Sequence, residues 1–401
     1  MGVEQLYIDL FVQSETFVRE NSSPIQNAFR SQALEDFKLK GFPTTRSENY
    51  KYTDLHGIFG DNKDITINKA DYVVKGNFCD GVFAGCFTEF TERYPEIASS
   101  YYAKAASTKK DSIVALNTMM VQDCFVLYVP KNITLEEPIQ LTNVLKETAS
   151  MVNCRVLVVV EENAEAKLII SDDIKSANLI TQVTEIFVGE SARFEYYDIE
   201  QNSNSTKRFT STSLKQEASS NVLVNNATVF NGLTRNNYYV DLNGEYAEVT
   251  LSGFGVLDDK KALDTYCHVA HNVPNCTSTQ LFKNVLKGSS QGAFSARIFV
   301  ALDAQKTTAY QTNRNLLLSK TAKMYSKPQL EIYADDVKCS HGMTIGQLDE
   351  NALFYMMSRG ISRDEARTLL SMAFTSDVLN SIRQESLKEY ITELVEKRFR
   401  G

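Results

Sequence analysis

Two groups of side chains in this 401-residue chain are of the types that ligate transition metals. Cys339-Ser340-His341-Gly342 sets a thiol and an imidazole two residues apart. Side chains alternate in an extended segment, so Val337, Cys339 and His341 share one face. A thiolate beside an imidazole suits zinc or iron. Two ligands make half a site, which a second chain would complete. The plainer alternative is a buried cysteine and a hydrogen-bonded histidine at a strand end. The second group, Cys267, His268, His271 and Cys276, lies in TYCHVAHNVPNCTST. Its spacing matches no standard zinc module, and a surface strand and turn is the competing reading.

Other chemistries lack their residues. There is no G-x4-G-K-[ST] cradle, so the chain is expected to bind no nucleotide and to hydrolyse no ATP alone. Gly253-Phe254-Gly255 lacks the third glycine of a dinucleotide fingerprint, and HExxH, EF-hand and GxSxG patterns are missing. A net charge of −8 argues against a nucleic-acid partner held through phosphates. Apolar runs such as Val156 to Val160 are too short to span a bilayer. The N-terminal MGVEQLYIDLFVQSE carries acids where a signal peptide needs a basic start and an apolar block. Seven cysteines without a CxxC fit reduced thiols in the cytoplasm.

The elements that must position Cys339 and His341 change character around them. Residues 1–120 read as mainly helical. Ser23-Pro24 starts one helix, and Asp111 or Ser112 caps another. From 121 to 340 short β-rich runs follow one another without an amphipathic helix. Turn-like pairs recur at 162, 189, 216 and 244, each leading into a strand. That period, with no helix inside it, predicts a β-solenoid whose coils bury their inward side chains on one another. Residues 341–401 read as helices. Asp349 caps the first, Gly360 stops it, and Ser362 with Glu365 forms a capping box for the second. Ala366, Leu369, Leu370, Ala373 and Phe374 lie at helical spacing, as do Ile382, Leu387, Ile391, Leu394, Val395 and Phe399 in the last helix. The final stripe could pack on the chain's own core or rest in a partner's groove.

The block PQLEIYADDVKCSHGMTIGQLDENALFYMMSRGIS closely resembles the C-terminal signature of the SufB/SufD family of iron–sulfur cluster assembly proteins. RSENYKYTDL resembles its N-terminal motif, with Tyr50 where tryptophan is usual, and HNVPNCTSTQLFKNVLKGSSQGAFSARIFV its β-region. The Cys-Ser-His-Gly form and the modest length look like the SufD branch. The resemblance implies a mainly β chain: a right-handed parallel β-helix, or solenoid, between helical ends. It implies a non-enzymatic scaffold that pairs with a SufB-like paralogue, binds the ATPase SufC through its C-terminal helices, and can form a homodimer in isolation. ATP-driven closure would then open a transient iron–sulfur cluster site at the SufB interface. His341 is the implied metal ligand and Cys339 the secondary one. Phe354, Arg359, Leu369, Leu370 and Phe374 are the expected partner-binding residues. Two rivals remain: a purely architectural subunit without metal contact, and a solenoid carbohydrate-active enzyme.

Overall fold

A computed structural model describes residues 2–61, 66–69, 71–145, 150–174, 179–202 and 205–400. The chain starts with α1 (Val3–Glu20), α2 (Pro24–Lys40) and α3 (Leu55–Gly60). Three short strands follow, β1 (Thr66–Asn68), β2 (Asp71–Lys75) and β3 (Phe83–Cys86), then α4 (Phe87–Arg93), α5 (Pro95–Tyr101) and α6 (Ser112–Met120). The solenoid strands are β4 (Phe125–Val129), β5 (Ile139–Leu145), β6 (Ser150–Val160), β7 (Glu165–Ile174), β8 (Leu179–Val188), β9 (Arg193–Gln201), β10 (Lys207–Gln216) and β11 (Asn221–Phe230). They continue with β12 (Leu233–Leu242), β13 (Glu248–Leu257), β14 (Ala262–His271), β15 (Thr277–Leu286), β16 (Gln291–Val300), β17 (Thr307–Leu317), β18 (Lys323–Ile332) and β19 (Val337–Gly346). The chain then forms α7 (Glu350–Ser358), α8 (Arg363–Leu379) and α9 (Glu385–Arg400).

Successive strands alternate between two sheets. Even-numbered strands from β4 to β18 make one and odd-numbered strands from β5 to β19 the other, each pairing in parallel with the strand one coil away. This is the expected parallel solenoid. Lys207 lies beside Leu233 and Gln291 beside Lys323, so a coil takes between 26 and 32 residues. The recurring turn pairs mark one corner of the coil. Asn132, Asn163, Ser191, Ser219, Tyr246, Asn275 and Lys306 there all have positive φ. Several donate their backbone N–H to a carbonyl of the next coil: Asn163 to Glu190, Ser191 to Ala218 and Ser219 to Glu245. The left-handed conformation costs a non-glycine residue about 1 kcal/mol, and the inter-coil bond offsets it.

Inside, one row per strand is apolar: Val156, Val158 and Val160 on β6 face Leu168 and Ile170 on β7, and Tyr238, Val240 and Leu242 continue the row on β12. Leu157 and Val159 point outward, yet α4 and α5 cover them. Burial on both faces explains the unbroken valine run. Beside the apolar row is a polar one. Arg208 is fully buried there between Asp172, 2.9 Å away, and Asp198, 2.8 Å away. The N-terminal helices cover the outer face of the even-numbered sheet, with Tyr7, Phe11, Phe37 and Met119 packing on Met151, Leu179 and Phe209.

The structure corrects some expectations and decides between others. The first 120 residues contribute strands: β2 and β3 pair antiparallel with β5 and β4 and seal the first coil. The helical C-terminal region starts later than residue 341, because β19 runs to Gly346 in register with β17. The capping box at Ser362 is half formed. Its hydroxyl accepts from the Glu365 N–H, but Arg400 occupies the Glu365 carboxylate. The full box is at Ser23 and Gln26. The stripe on α9 packs on its own chain, with Leu387, Ile391 and Val395 against Tyr197, Leu223 and Val256 on the odd-numbered sheet. Among the described residues no helix is long and apolar enough to cross a membrane.

Candidate functional site

Cys339 and His341 lie on β19, the last strand of the odd-numbered sheet. One edge of β19 pairs with β17; among the described residues its other edge pairs with no strand. The register sets Cys339 beside Ala309 and His341 beside Gln311, both buried and facing the interior. Cys339 accordingly packs with Ile298, Val300 and Ala309 at the end of the core. Alternation puts His341 on the same inward face. No further coil covers that face, so the imidazole is exposed at the mouth of the solenoid while Cys339 is half-buried. Burial pushes the Cys339 thiol up, opposed by the Ala309 backbone. The expected juxtaposition of thiol and imidazole therefore holds.

Two donors on one strand do not enclose an ion. Among the described residues no three His, Cys, Asp or Glu side chains gather into a metal-binding group. A cluster held at this mouth must draw further ligands from another chain. The apolar residues around it are also left open. Met343 and Ile345 follow His341 on the same face and are 42% and 41% exposed.

The second thiol and imidazole group disperses. Cys267 is buried in the core row of β14. His271 is buried too, its Nε2 2.8 Å from the Ser278 hydroxyl, and burial pulls its pKa down to about 4. Cys276 sits at the positive-φ corner with its Sγ 3.2 Å from the Gly244 carbonyl. His268 points to the opposite face from Cys267 and His271 on the same strand. These are core and corner residues.

The RSENYKYTDL segment is a strap on the outer face of the even-numbered sheet. It forms a single 3-10 turn at Glu48–Tyr50. Tyr50 stacks under Arg235, 4.5 Å from its ring, and its hydroxyl meets Asn237 and Asp111. Thr53 donates to Asp264 on β14. Glu48 pairs with Lys327 and accepts from Gln329 on β18, and those contacts hold its carboxyl below the usual range. Tyr52 stacks on Tyr325. The motif thus ties the N-terminal region to the last coil, immediately beside the candidate mouth.

The residues expected to bind a partner fall on α7 and α8. Phe354 is 73% exposed, Arg359 is exposed, and Leu369 is 40% exposed; Leu370 and Phe374 are half-buried. The face of α8 that packs inward is a different one, made of Ala366, Thr368, Ser371, Thr375, Val378 and Leu379. Tyr355 and Met357, not singled out from the sequence, extend the uncovered surface. Phe374 covers Lys283 of β15, whose ammonium pairs with Asp377 at 2.5 Å. The inward face is thus mixed, with Thr368, Ser371 and Thr375 in its first part and Val378 and Leu379 on the apolar sheet at its end, while Leu369 is left on the solvent side. A cleft of about 630 Å³ lies elsewhere, between α8, α9 and the sheet corner. Its arginines are engaged: Arg398 by Asp258, Arg400 by Glu365 and Arg367 by the Leu318 carbonyl.

Residues 143–374 match the family model described as SUF system FeS cluster assembly, SufBD core domain. Residues 1–78 and 72–141 match the SufBD protein N-terminal region. An iron–sulfur cluster assembly SufBD family protein of Synechocystis is 33% identical over 70% of this chain and 64% of its own length. The iron–sulfur cluster assembly protein SufD of Escherichia coli is 27% identical over 92% of both chains. The chloroplastic protein ABCI7 of Arabidopsis thaliana is 29% identical over 84% of this chain and 72% of its own. With one family model matched over more than half of its length and a second over the remainder of its N-terminal part, the chain belongs to the SufBD family of SUF-system iron–sulfur cluster assembly proteins.

Proposed function

We propose that this chain is a non-enzymatic scaffold subunit of the SUF machinery. It pairs with a SufB-like paralogue through the open end of the solenoid and docks a SufC-type ATPase on the apolar surface of α7 and α8. The nascent iron–sulfur cluster is cargo at the paired mouth. His341 offers a ring nitrogen lone pair to iron, and Cys339 is the secondary donor. The observation that carries this reading is the incomplete ligand pair on the inward face of the edge strand β19, beside exposed Met343 and Ile345. An open strand edge with apolar side chains invites a second chain. That chain would also supply the missing ligands.

Transmission of ATPase motion rests on how α8 is seated. Lys283 of β15 bonds the Phe374 carbonyl and Asp377, and Arg367 bonds the Leu318 carbonyl at the end of β17. β15 and β17 are the two strands immediately behind β19. A displacement of α8 would thus reach the mouth through rigid sheet. All seven cysteines are free thiols, which suits work in the cytoplasm.

The test is co-expression with the SufB-like and SufC-type partners, anaerobic purification, and iron and sulfide analysis of the parent and His341→Ala complexes. An intact complex that loses most of its iron is the expected result. An intact, fully loaded His341→Ala complex would reduce the chain to architecture. Failure to assemble with either partner would overturn the scaffold reading itself.

A further inference from the structure

One interior column of the solenoid stands out by its unmet hydrogen bonds. Gln280 on β15 lies beside Gln311 on β17, which lies beside His341 on β19. The two glutamines are 1% and 2% exposed. Among the described residues none of their four amide atoms, Nε2 and Oε1 of each, has a hydrogen-bond partner. Buried amides left unpaired are rare in native proteins and call for an occupant. One coil further in, Leu251 ends the column, so it is open only toward His341.

A second inward column, four residues further along the strands, shows what such a stack does. Asn284 and Asn315 occupy the same pair of strands, and Asn284 Nδ2 donates to Asn315 Oδ1 at 2.9 Å. Asn315 in turn donates to the Thr344 carbonyl of β19 at 3.2 Å. Coils about 4.8 Å apart allow identical amides to bond along the stack. A glutamine pair reaches the same arrangement through its side-chain torsions alone.

We infer that Gln311 is the positioning residue for His341. Its amide oxygen accepts from the protonated ring nitrogen of His341, and its NH2 donates to Gln280 one coil deeper. A neutral imidazole has one donor and one acceptor nitrogen, and the partner of the donor fixes which is which. A histidine held this way presents its other nitrogen, lone pair outward, to the mouth. The inference rests on the ligand role proposed for His341, but it is tested without iron.

The full chain, labelled with 15N in its imidazole rings, has four histidines, and His341→Asn assigns the resonance. At about pH 8 an ordinary ring is neutral, so its nitrogen shifts report the tautomer. The parent is expected to hold His341 in one tautomer. Gln311→Leu should shift the tautomer ratio by about 3- to 10-fold, the worth of one hydrogen bond. Gln311→Glu, which keeps an acceptor, should restore it. If Gln311→Leu does not fold, Gln311→Met carries the same test. An unchanged ratio in the apolar variant, or a Gln311→Glu ratio like that of Gln311→Leu, would overturn the inference. An iron-poor His341→Ala complex with an unshifted tautomer sinks the Gln311 role alone. An iron-replete one with a shifted tautomer sinks the ligand role and leaves the hydrogen bond standing.

Discussion

Leu353 and Phe354 are neighbours on α7 with opposite surroundings: Leu353 is 2% exposed and Phe354 is 73% exposed. If α7 and α8 form the ATPase-docking surface, truncating each should fail in a different assay. A phenylalanine carries about 200 Å² of surface, so Phe354 leaves about 150 Å² uncovered in the free chain. At about 25 cal/mol per Å², covering it contributes at most about 4 kcal/mol to association. Part of that is lost to side-chain ordering and to the methyl that alanine keeps. Phe354→Ala should therefore weaken binding of the SufC-type partner by about 2 kcal/mol, or roughly 30-fold. It should change the unfolding of the isolated chain little, because Phe354 is 73% exposed. Leu353→Ala should instead destabilise the chain by about 2–4 kcal/mol through a cavity under α7. Titration calorimetry with the purified ATPase and urea unfolding of the free chain separate the two. Parental affinity in Phe354→Ala would refute the reasoning that this surface is uncovered because a partner covers it.

Two buried groups should tilt the pH dependence of stability in opposite directions. His271 stays neutral in the fold until about pH 4, whereas an unfolded chain protonates it near pH 6.5. Its contribution is thus present above about pH 6.5 and is lost as pH falls toward 4; His271→Gln should remove about 2 kcal/mol of the difference between about pH 7.5 and about pH 5. Burial raises Glu200 to about 7, against the pull of Arg208 and its bonds from Thr234 and Asn202. That contribution is present below about pH 4.5 and lost as pH rises through 7, so Glu200→Gln should change the urea midpoint mainly at the alkaline end. A profile tilted the same way by both variants would contradict the burial argument. Arg208→Met strands Asp172 and Asp198 in the interior and should cost about 3–5 kcal/mol. Adding Asp172→Asn and Asp198→Asn should recover most of that loss in urea unfolding, and no recovery would mean that Arg208 acts through packing.

The solenoid was legible because its corner is strict. Each coil must turn at the same place, so Asn163, Ser191, Ser219 and Tyr246 recur near the period seen in the sequence, although their types differ. The pairing of Cys339 with His341 was legible because alternation along a strand is local. What stayed hidden depends on long-range register. Gln280, Gln311 and His341 are 31 and 30 residues apart and line up only once the coils are stacked. The spacing of the last coils drifts from that of the middle ones, so a repeat read from residues 162 to 244 does not reach them. The Leu369 and Phe374 stripe was legible as one face of α8, but its seat was not: Lys283, whose ammonium bonds the Phe374 carbonyl and Asp377, lies 91 and 94 residues away in the chain. The strands at β1 to β3 escaped notice because each is five residues or fewer.

The two ends of the solenoid differ in a way that limits what it can build. The first coil is closed off by β2 and β3, which run antiparallel to their neighbours and are too short to template another strand. Among the described residues the last coil presents β18 and β19 with one edge each that pairs with no strand. A body of stacked coils that was open at both ends would add copies without limit and grow into a fibre. A body open at one end only would have a valency of one, so that the mouth-to-mouth pairing proposed above would stop at two bodies. Whatever lay between the two mouths would then be enclosed from both sides, and the stop at the far end would make the enclosure a chamber rather than a filament.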